Sequence, residues 1–374
     1  MVYYIGYYNC DQIRDEQRRV SPAAENKMRY IISALEVAVD DYVTVVSPAN
    51  TKLHKLVKGQ KLSISNKITL KTFPSISGSK LVRVLGYFLT NICFTMYLLK
   101  NVHGEDHLIV YHSLNYRNTI AAIKAIKKCK LTLEVEEIYN DVIQKSKSKR
   151  AKEVDFIRIA DQYIFPTELL NGFLNKVGKT YTVVHGTYRG ETDRKECFND
   201  NKIHVVYAGT LDPRKGGAVA AKAAEFLSAK YHVHILGFGG AAEVDLICKT
   251  VKETQKKTTA TVTYDGQLLG ENYVRFIQKC HIGLSTQDPN ADFNATSFPS
   301  KVLSYMSNGL RVVSVRIPAI ETSDVGKYVY YYDLQTPAEI AQAIMSVDLT
   351  DDYDSRRVLD GLNQKFCNEL RQLV

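Results

Sequence analysis

"IHVVYAGTLDPRKGG", residues 203–217, decides the fold. Val205, Val206 and Tyr207 lie in an apolar, strand-forming run that closes on Gly209, as a strand buried on both faces of a parallel sheet does. A polar turn follows, and residues 218–230, rich in alanine, are predicted to be a helix. "HVHILGFGG" (232–240) repeats the motif as strand plus glycine turn. Residues 262–264, 282–285, 311–315 and 328–332 read as further strands. Thr336-Pro337-Ala338-Glu339 has the pattern of a capping box with proline at the first helical position, so a helix is expected there.

Upstream of residue 203 the same alternation has already run once. Residues 2–8, 42–47, 108–112, 131–136, 161–165 and 181–185 are predicted strands, with a looser β region at 61–73. Ser21 and Pro22 open a helix to about residue 38, and residues 117–128 form another. Sequential βα pairs predict a parallel, doubly wound sheet. The expected fold is therefore α/β: two tandem Rossmann-like doubly wound domains facing a cleft, with ligands at the carboxyl ends of the strands. The polar, basic stretch 189–201 marks the boundary. We expect an N-terminal Rossmann-like domain over 1–190 and a C-terminal Rossmann-like domain over 191–355. A helix over 356–374 is expected to pack back toward the first domain.

Composition narrows the partners. At 374 residues the chain is long for one core, which favours two domains. The net charge of +9 points to an anionic partner. No aromatic-and-basic RNA-binding signature is present, so nucleic acid is not expected. Seven cysteines are scattered without CxxC spacing, which predicts reduced thiols, no zinc and a cytoplasmic protein. No basic stretch precedes the first strand, so no secretory leader is expected. "LVRVLGYFLTNICFTMYLL" (81–99) carries one charge, Arg83. It is slightly short for a membrane span and holds Gly86, Thr90, Asn91 and Thr95, so a buried or half-buried domain helix is expected, with surface contact to a membrane as the alternative. The basic run "KSKSKRAK" (145–152) reads as a solvated face that could add to peripheral docking on anionic lipid at the inner face of the plasma membrane.

Three pieces carry a resemblance. "VVYAGTLDPRKGG" (205–217), "LGFGG" (236–240) and "FPSKVLSYMSNGLRVVS" (298–314), in that order and spacing, resemble the nucleotide-sugar half of retaining glycosyltransferases of family four, whose fold is the two-Rossmann B-type. "SPAAENKMRYIISALE" and "LEVEEIYND" in the N-terminal half are similar to this group in pattern. The resemblance implies a metal-independent hexosyl transfer. Its donor would be a UDP- or GDP-linked nucleotide sugar, used as substrate, with no separate cofactor. Its acceptor would be a glycan or a polyprenyl-diphosphate-linked glycan, as in bacterial capsule or lipopolysaccharide synthesis. Two alternatives stay open: a noncatalytic binding or partner subunit of this fold, and a sugar-nucleotide epimerase.

Candidate residues follow. Gly209 permits a tight turn, and Gly216-Gly217 permit close approach to an anion. Lys215 matches the family lysine that contacts the donor diphosphate. The family arginine that follows the first glycine is replaced by Thr210, so Arg214 is the expected substitute. Gly237 and Gly239 form a second turn; without GxGxxG or a strand-end acid they argue against a nicotinamide enzyme. Ser300, Lys301 and Val302 open a helix whose N–H groups and dipole suit a phosphate, and Lys301 adds a full charge there. The family's two glutamates, eight positions apart, would fall at Thr296 and Ser304, and both are absent; Ser304 keeps one hydrogen bond for the ribose. On the N-terminal side, His112, Glu136 and Glu137 end strands and are the catalytic candidates. Glu134 and Glu136 are expected on one face, opposite Val135. Asp15, Arg18 and Arg19 lie in the loop after the first strand and are expected to face the acceptor. Asp212 stands alone beside Arg214 and Lys215, so no residues are assigned to a metal.

Overall fold

A computed structural model describes residues 1–142, 146–291, 294 and 296–374. It divides into two compact units: residues 1–187 with 365–374, and residues 188–364. The sheet of the first unit is built from β1 (Val2–Ile5), β2 (Val43–Ser47), β3 (Lys61–Ser63), β4 (Ile68–Thr72), β5 (His107–Tyr111), β6 (Lys130–Glu134), β7 (Gln162–Phe165) and β8 (Tyr181–Val183). The spatial order is β3-β4-β2-β1-β5-β6-β7-β8. Every pairing is parallel except β3 with β4. The looser β region is thus a hairpin edge on a parallel sheet. The helices are α1 (Pro22–Ala38), α2 (Lys80–Asn101), α3 (Arg117–Lys127), α4 (Tyr139–Val142), α5 (Lys147–Arg158) and α6 (Glu168–Leu174). Lys145, first residue of the basic run, lies outside the described residues.

The second unit is the simpler one. Its strands are β9 (Ile203–Thr210), β10 (Tyr231–Phe238), β11 (Thr261–Gly266), β12 (Ile282–Ser285), β13 (Arg311–Val315) and β14 (Val329–Tyr332), in the order β11-β10-β9-β12-β13-β14. All pairs are parallel. Counted from β9 this is the 3-2-1-4-5-6 order, with the reversal between β9 and β12. The helices are α7 (Gly217–Lys222), α8 (Ala241–Gln255), α9 (Gly270–Ile277), α10 (Ser300–Ser307), α11 (Pro318–Glu321) and α12 (Pro337–Met345). A last helix, α13 (Ser355–Leu373), contributes its residues from Lys365 onward to the first unit, where Phe366 stacks on Tyr30 at 5.7 Å.

Three expectations need correction. The helix over 218–230 is one turn and a half of α7 followed by a tight 3-10 turn, Ala223–Phe226. The Thr258 hydroxyl donates to the Ala224 carbonyl at 2.6 Å, satisfying a group that a longer helix would have used internally. β6 stops at Glu134, so Glu136 is not on its alternating face. Thr336 caps α12 by accepting from Glu339 N, but Glu339 turns its carboxylate to the backbone N–H groups of Asp333 and Leu334 instead of to Thr336. The half-buried helix of residues 81–99 is α2, and it buries only Gly86, Thr90, Phe94 and Leu98.

Candidate active site

In the second unit the reversal of strand order leaves a crevice beyond the carboxyl ends of β9 and β12. α10 is held over these ends by one buried side chain. The Tyr305 hydroxyl accepts from Ala208 N at 2.8 Å and donates to the Leu284 carbonyl at 3.1 Å, tying the helix to both strands. Gly283 makes room: a Cβ there would lie 2.2 Å from the tyrosine ring. The first turn of α10 has no side-chain cap, because Pro299 stands at its N-cap.

Lys301 enters from that turn. Its Nζ sits 3.6 Å from the centre of the Tyr207 ring, and a Cβ on Gly209 would come within 2.6 Å of its Cε. Gly209 therefore serves to seat the lysine against the end of β9. Burial, and then the charge of Lys215, push the Lys301 ammonium down to about 7. Lys215 is half-buried and also lowered, first by burial. Among the described residues no carboxylate pairs with Lys301. The charge of Lys215 thus reaches Lys301 at a helix N-terminus without a side-chain cap, an arrangement that suits an anion.

The neighbouring candidates fall into different roles. Arg214 is exposed and bound by Asp212 at 2.6 Å; that contact holds the Asp212 carboxyl at about 2. Gly216 has φ +81°, and a Cβ there would lie 1.7 Å from the Thr286 carbonyl. Its glycine is thus needed for the turn and for packing on Thr286. Gly237 and Gly239 line up behind it: Cβ atoms there would meet the Gly209 carbonyl at 2.0 Å and Glu243 at 3.0 Å. Ser300 and Val302 frame Lys301, and Thr210 ends β9, its carbonyl accepting from the Tyr207 hydroxyl at 2.7 Å. Ser304 Oγ lies 3.1 Å from the Tyr273 hydroxyl.

The first unit gathers its candidates differently. His112 is buried, with Nε2 at 2.8 Å from Glu153 Oε1 and its ring stacked between Tyr139 and Phe156. Burial would raise the Glu153 carboxyl, but bonds from His112 and Asn140 outweigh it and leave it lowered. Glu134 is fully buried and accepts from the Tyr4 hydroxyl at 2.6 Å; burial, then the charge of Glu136, push it up to about 8. It does not face solvent, as a strand-end acid lining a crevice would. Glu136 sits 3.3 Å from Lys27, and Glu137 is raised by burial and by Glu136. Arg18 is buried and binds Glu16 and the carbonyls of Ala49 and Phe73, so it staples loops together. Asp15 is exposed.

Arg19 lines a cavity of about 720 Å³ that sequence reasoning missed. Its other walls include Tyr7 after β1, Asn50 and Lys52 after β2, Asn115 after β5, and Arg83 and Tyr87 of α2. The signal was positional: each loop residue stands just beyond a strand's carboxyl end, at the reversal of this sheet between β1 and β5.

One cluster lies away from these ends. His204, His232 and His234 have ligand-type atoms within 4.8 Å of one another. Asp200, Asp265 and Thr263 engage these rings, His204 Nδ1 meets His234 Nε2 at 2.9 Å, and His232 lies flat on His234 at 3.8 Å. Stacked rings do not converge their in-plane lone pairs on one point, so this set does not fit a metal as it stands.

Residues 202–347 match the family of glycosyl transferases group 1. Comparison with curated proteins by sequence gives no match. Among solved structures, the E. coli trehalose-6-phosphate structure bound with UDP-2-fluoro glucose superimposes with a TM-score of 0.63 at 12% identity, over 100% of this chain and 97% of the other. The α,α-trehalose-phosphate synthase (UDP-forming) of Burkholderia xenovorans in complex with glucose-6-phosphate gives 0.62 at 12%, over 100% and 98%. Anabaena Alr3699/HepE in complex with UDP gives 0.62 at 11%, over 99% and 97%. The chain thus has the fold of two Rossmann-like units seen in these structures, and residues 202–347 of its second half are similar to glycosyl transferases group 1.

Proposed function

We propose that this chain is a metal-independent, retaining glycosyltransferase of the family-four kind. It moves a hexose from a UDP- or GDP-linked sugar to a glycan or lipid-linked acceptor, in the cytoplasm, during bacterial surface polysaccharide synthesis. The observation that carries the proposal is the pair Lys215 and Lys301 at the uncapped start of α10. As the bond from the anomeric carbon to the diphosphate breaks, charge grows on the departing nucleoside diphosphate. A lysine already seated against Gly209 meets that charge without reorganisation, and the helix N–H groups add to it. These groups supply the positive charge that a magnesium ion would supply elsewhere. Asp212, the acid in the β9 turn, is committed to Arg214.

The test is a thermal-shift panel of UDP, GDP and ADP, followed by transfer assays in excess chelator. Stabilisation by one nucleotide and transfer at nearly full rate in chelator are expected. Activity that disappears with chelator and returns with manganese would overturn the metal-free reading. A second reading is a noncatalytic nucleotide-binding subunit. Ser304 favours it: where the family keeps an acid for the ribose, this chain has a hydroxyl in contact with Tyr273. Nucleotide stabilisation with neither transfer nor hydrolysis of any nucleotide sugar would select it.

A further inference from the structure

α2 is apolar on nearly every side and turns a wide apolar face away from the core of its unit. Leu81, Leu85, Phe88, Ile92 and Met96 recur at intervals of three or four and form one stripe; they are 56–76% exposed. The opposite side of the helix is committed to the first unit. Phe94 meets Phe73 edge to face at 5.7 Å, and Thr90 Oγ1 is 2.8 Å from the Pro74 carbonyl. A membrane span would have to pull both out of that core, so the helix belongs on the surface. At 22 residues it is long and apolar enough that a stripe this size needs a cover.

The charges say which cover. α2 contains no acidic residue, and Lys80, Arg83 and Lys100 flank its stripe. Arg83 and Tyr87 also line the 720 Å³ cavity, together with Arg19 and Lys52. That cavity has three cations and no carboxylate in its wall, and among the described residues none of the three is in an ion pair. Cationic headgroup contacts beside an apolar stripe match the anionic interface of a bilayer, where apolar side chains enter the acyl boundary and basic ones meet phosphates.

We propose that α2 lays this chain on an anionic bilayer and that the Arg19–Lys52–Arg83 cavity takes the phosphate headgroup of a lipid held there. The docking stands on the helix and the cavity; that the lipid is the sugar acceptor rests on the transfer reaction proposed above. Vesicle flotation of the full chain tests it, with phosphatidylcholine alone and with phosphatidylglycerol added, at about 0.1 M salt, where surface charges still act across roughly 10 Å. Flotation with the anionic vesicles is expected. Leu85→Glu with Phe88→Glu should lower the bound fraction about tenfold, since both apolar anchors and the surface charge then oppose binding. Lys52→Ala with Arg83→Ala should remove the preference for phosphatidylglycerol and is the variant to use if the first does not fold. The proposal is overturned by no flotation on anionic vesicles, by unchanged flotation of both variants, or by a wild-type dimer that Leu85→Glu with Phe88→Glu makes monomeric. A nucleotide thermal shift on the same preparations separates the two claims. Flotation lost with the shift retained removes the membrane and leaves sugar transfer standing, and the reverse result does the opposite.

Discussion

Lys301 ties the smallest scale to function. Burial and the Lys215 charge put the Lys301 ammonium at about 7, so it is half charged at neutral pH. A diphosphate favours the charged form, so binding should weaken as pH rises above about 7 and level off below it, where the free lysine is already charged. Titration calorimetry with UDP or GDP across that range should show the slope. Lys301→Arg, which stays charged throughout, should flatten it. A wild-type affinity that does not change with pH would mean that Lys301 does not meet the diphosphate. Lys215→Ala and Lys301→Ala should each weaken nucleotide binding by about 1.5–3 kcal/mol, the worth of a hydrogen bond to a charged group. Wild-type affinity in both variants would take the lysines out of the donor site. The sequence showed Lys301 at a helix start, but not Tyr207 beneath it. That partner lies some ninety residues away on β9, and only the parallel sheet brings the two together.

Elements were legible where their periodicity was strong. β9, β10, β12 and β13 stand close to where their apolar runs place them, because strands buried on both faces leave few alternative registers. Their order in space was not in the runs, and neither was the outward turn of α2. That helix is apolar on nearly every side, so its pattern does not say which side packs. The deciding residue is Gly86. A Cβ there would lie 2.2 Å from the Ile76 carbonyl, so the helix can press on that strand-end segment only through a glycine. Gly86→Ala is therefore expected to lower the melting temperature, although alanine is the better helix former by about 1 kcal/mol. An unchanged or raised melting temperature would show that α2 does not press on this segment. The same blindness hid the role of Glu134. A strand-end acid reads as a crevice residue, yet β1 brings Tyr4 against it and the sheet closes over both.

At the scale of the whole molecule, buried histidines set the acid limit of stability. Burial, then the Lys130 charge, push His107 down to about 4; burial, then His234 and His204, do the same for His232. His204 and His281 are lowered as well, each first by burial. Asp200 and Asp265 stand beside this group and oppose the shift without reversing it in His204 and His232. A histidine with a depressed folded value favours the fold above its unfolded value near 6.5. Between 6.5 and about 4 the unfolded chain binds more protons, so stability falls with pH over that window. Glu134, raised to about 8, works the other way: the folded chain holds its proton from about 4.5 upward and offsets one histidine. Glu137, also raised by burial, acts in the same direction as Glu134; four lowered histidines against these two glutamates leave the net slope positive. Urea midpoints measured from pH 7 to 4.5 should therefore decline steadily. His107→Gln should make that decline shallower, since its Nε2 contact with Thr132 can pass to an amide that does not titrate. Glu134→Gln should make it steeper, by removing one of the two groups that oppose the histidines. A wild-type midpoint that stays level down to pH 4.5 would show that these rings take up protons within the fold, and with it the burial argument for His107 and His232 would fall.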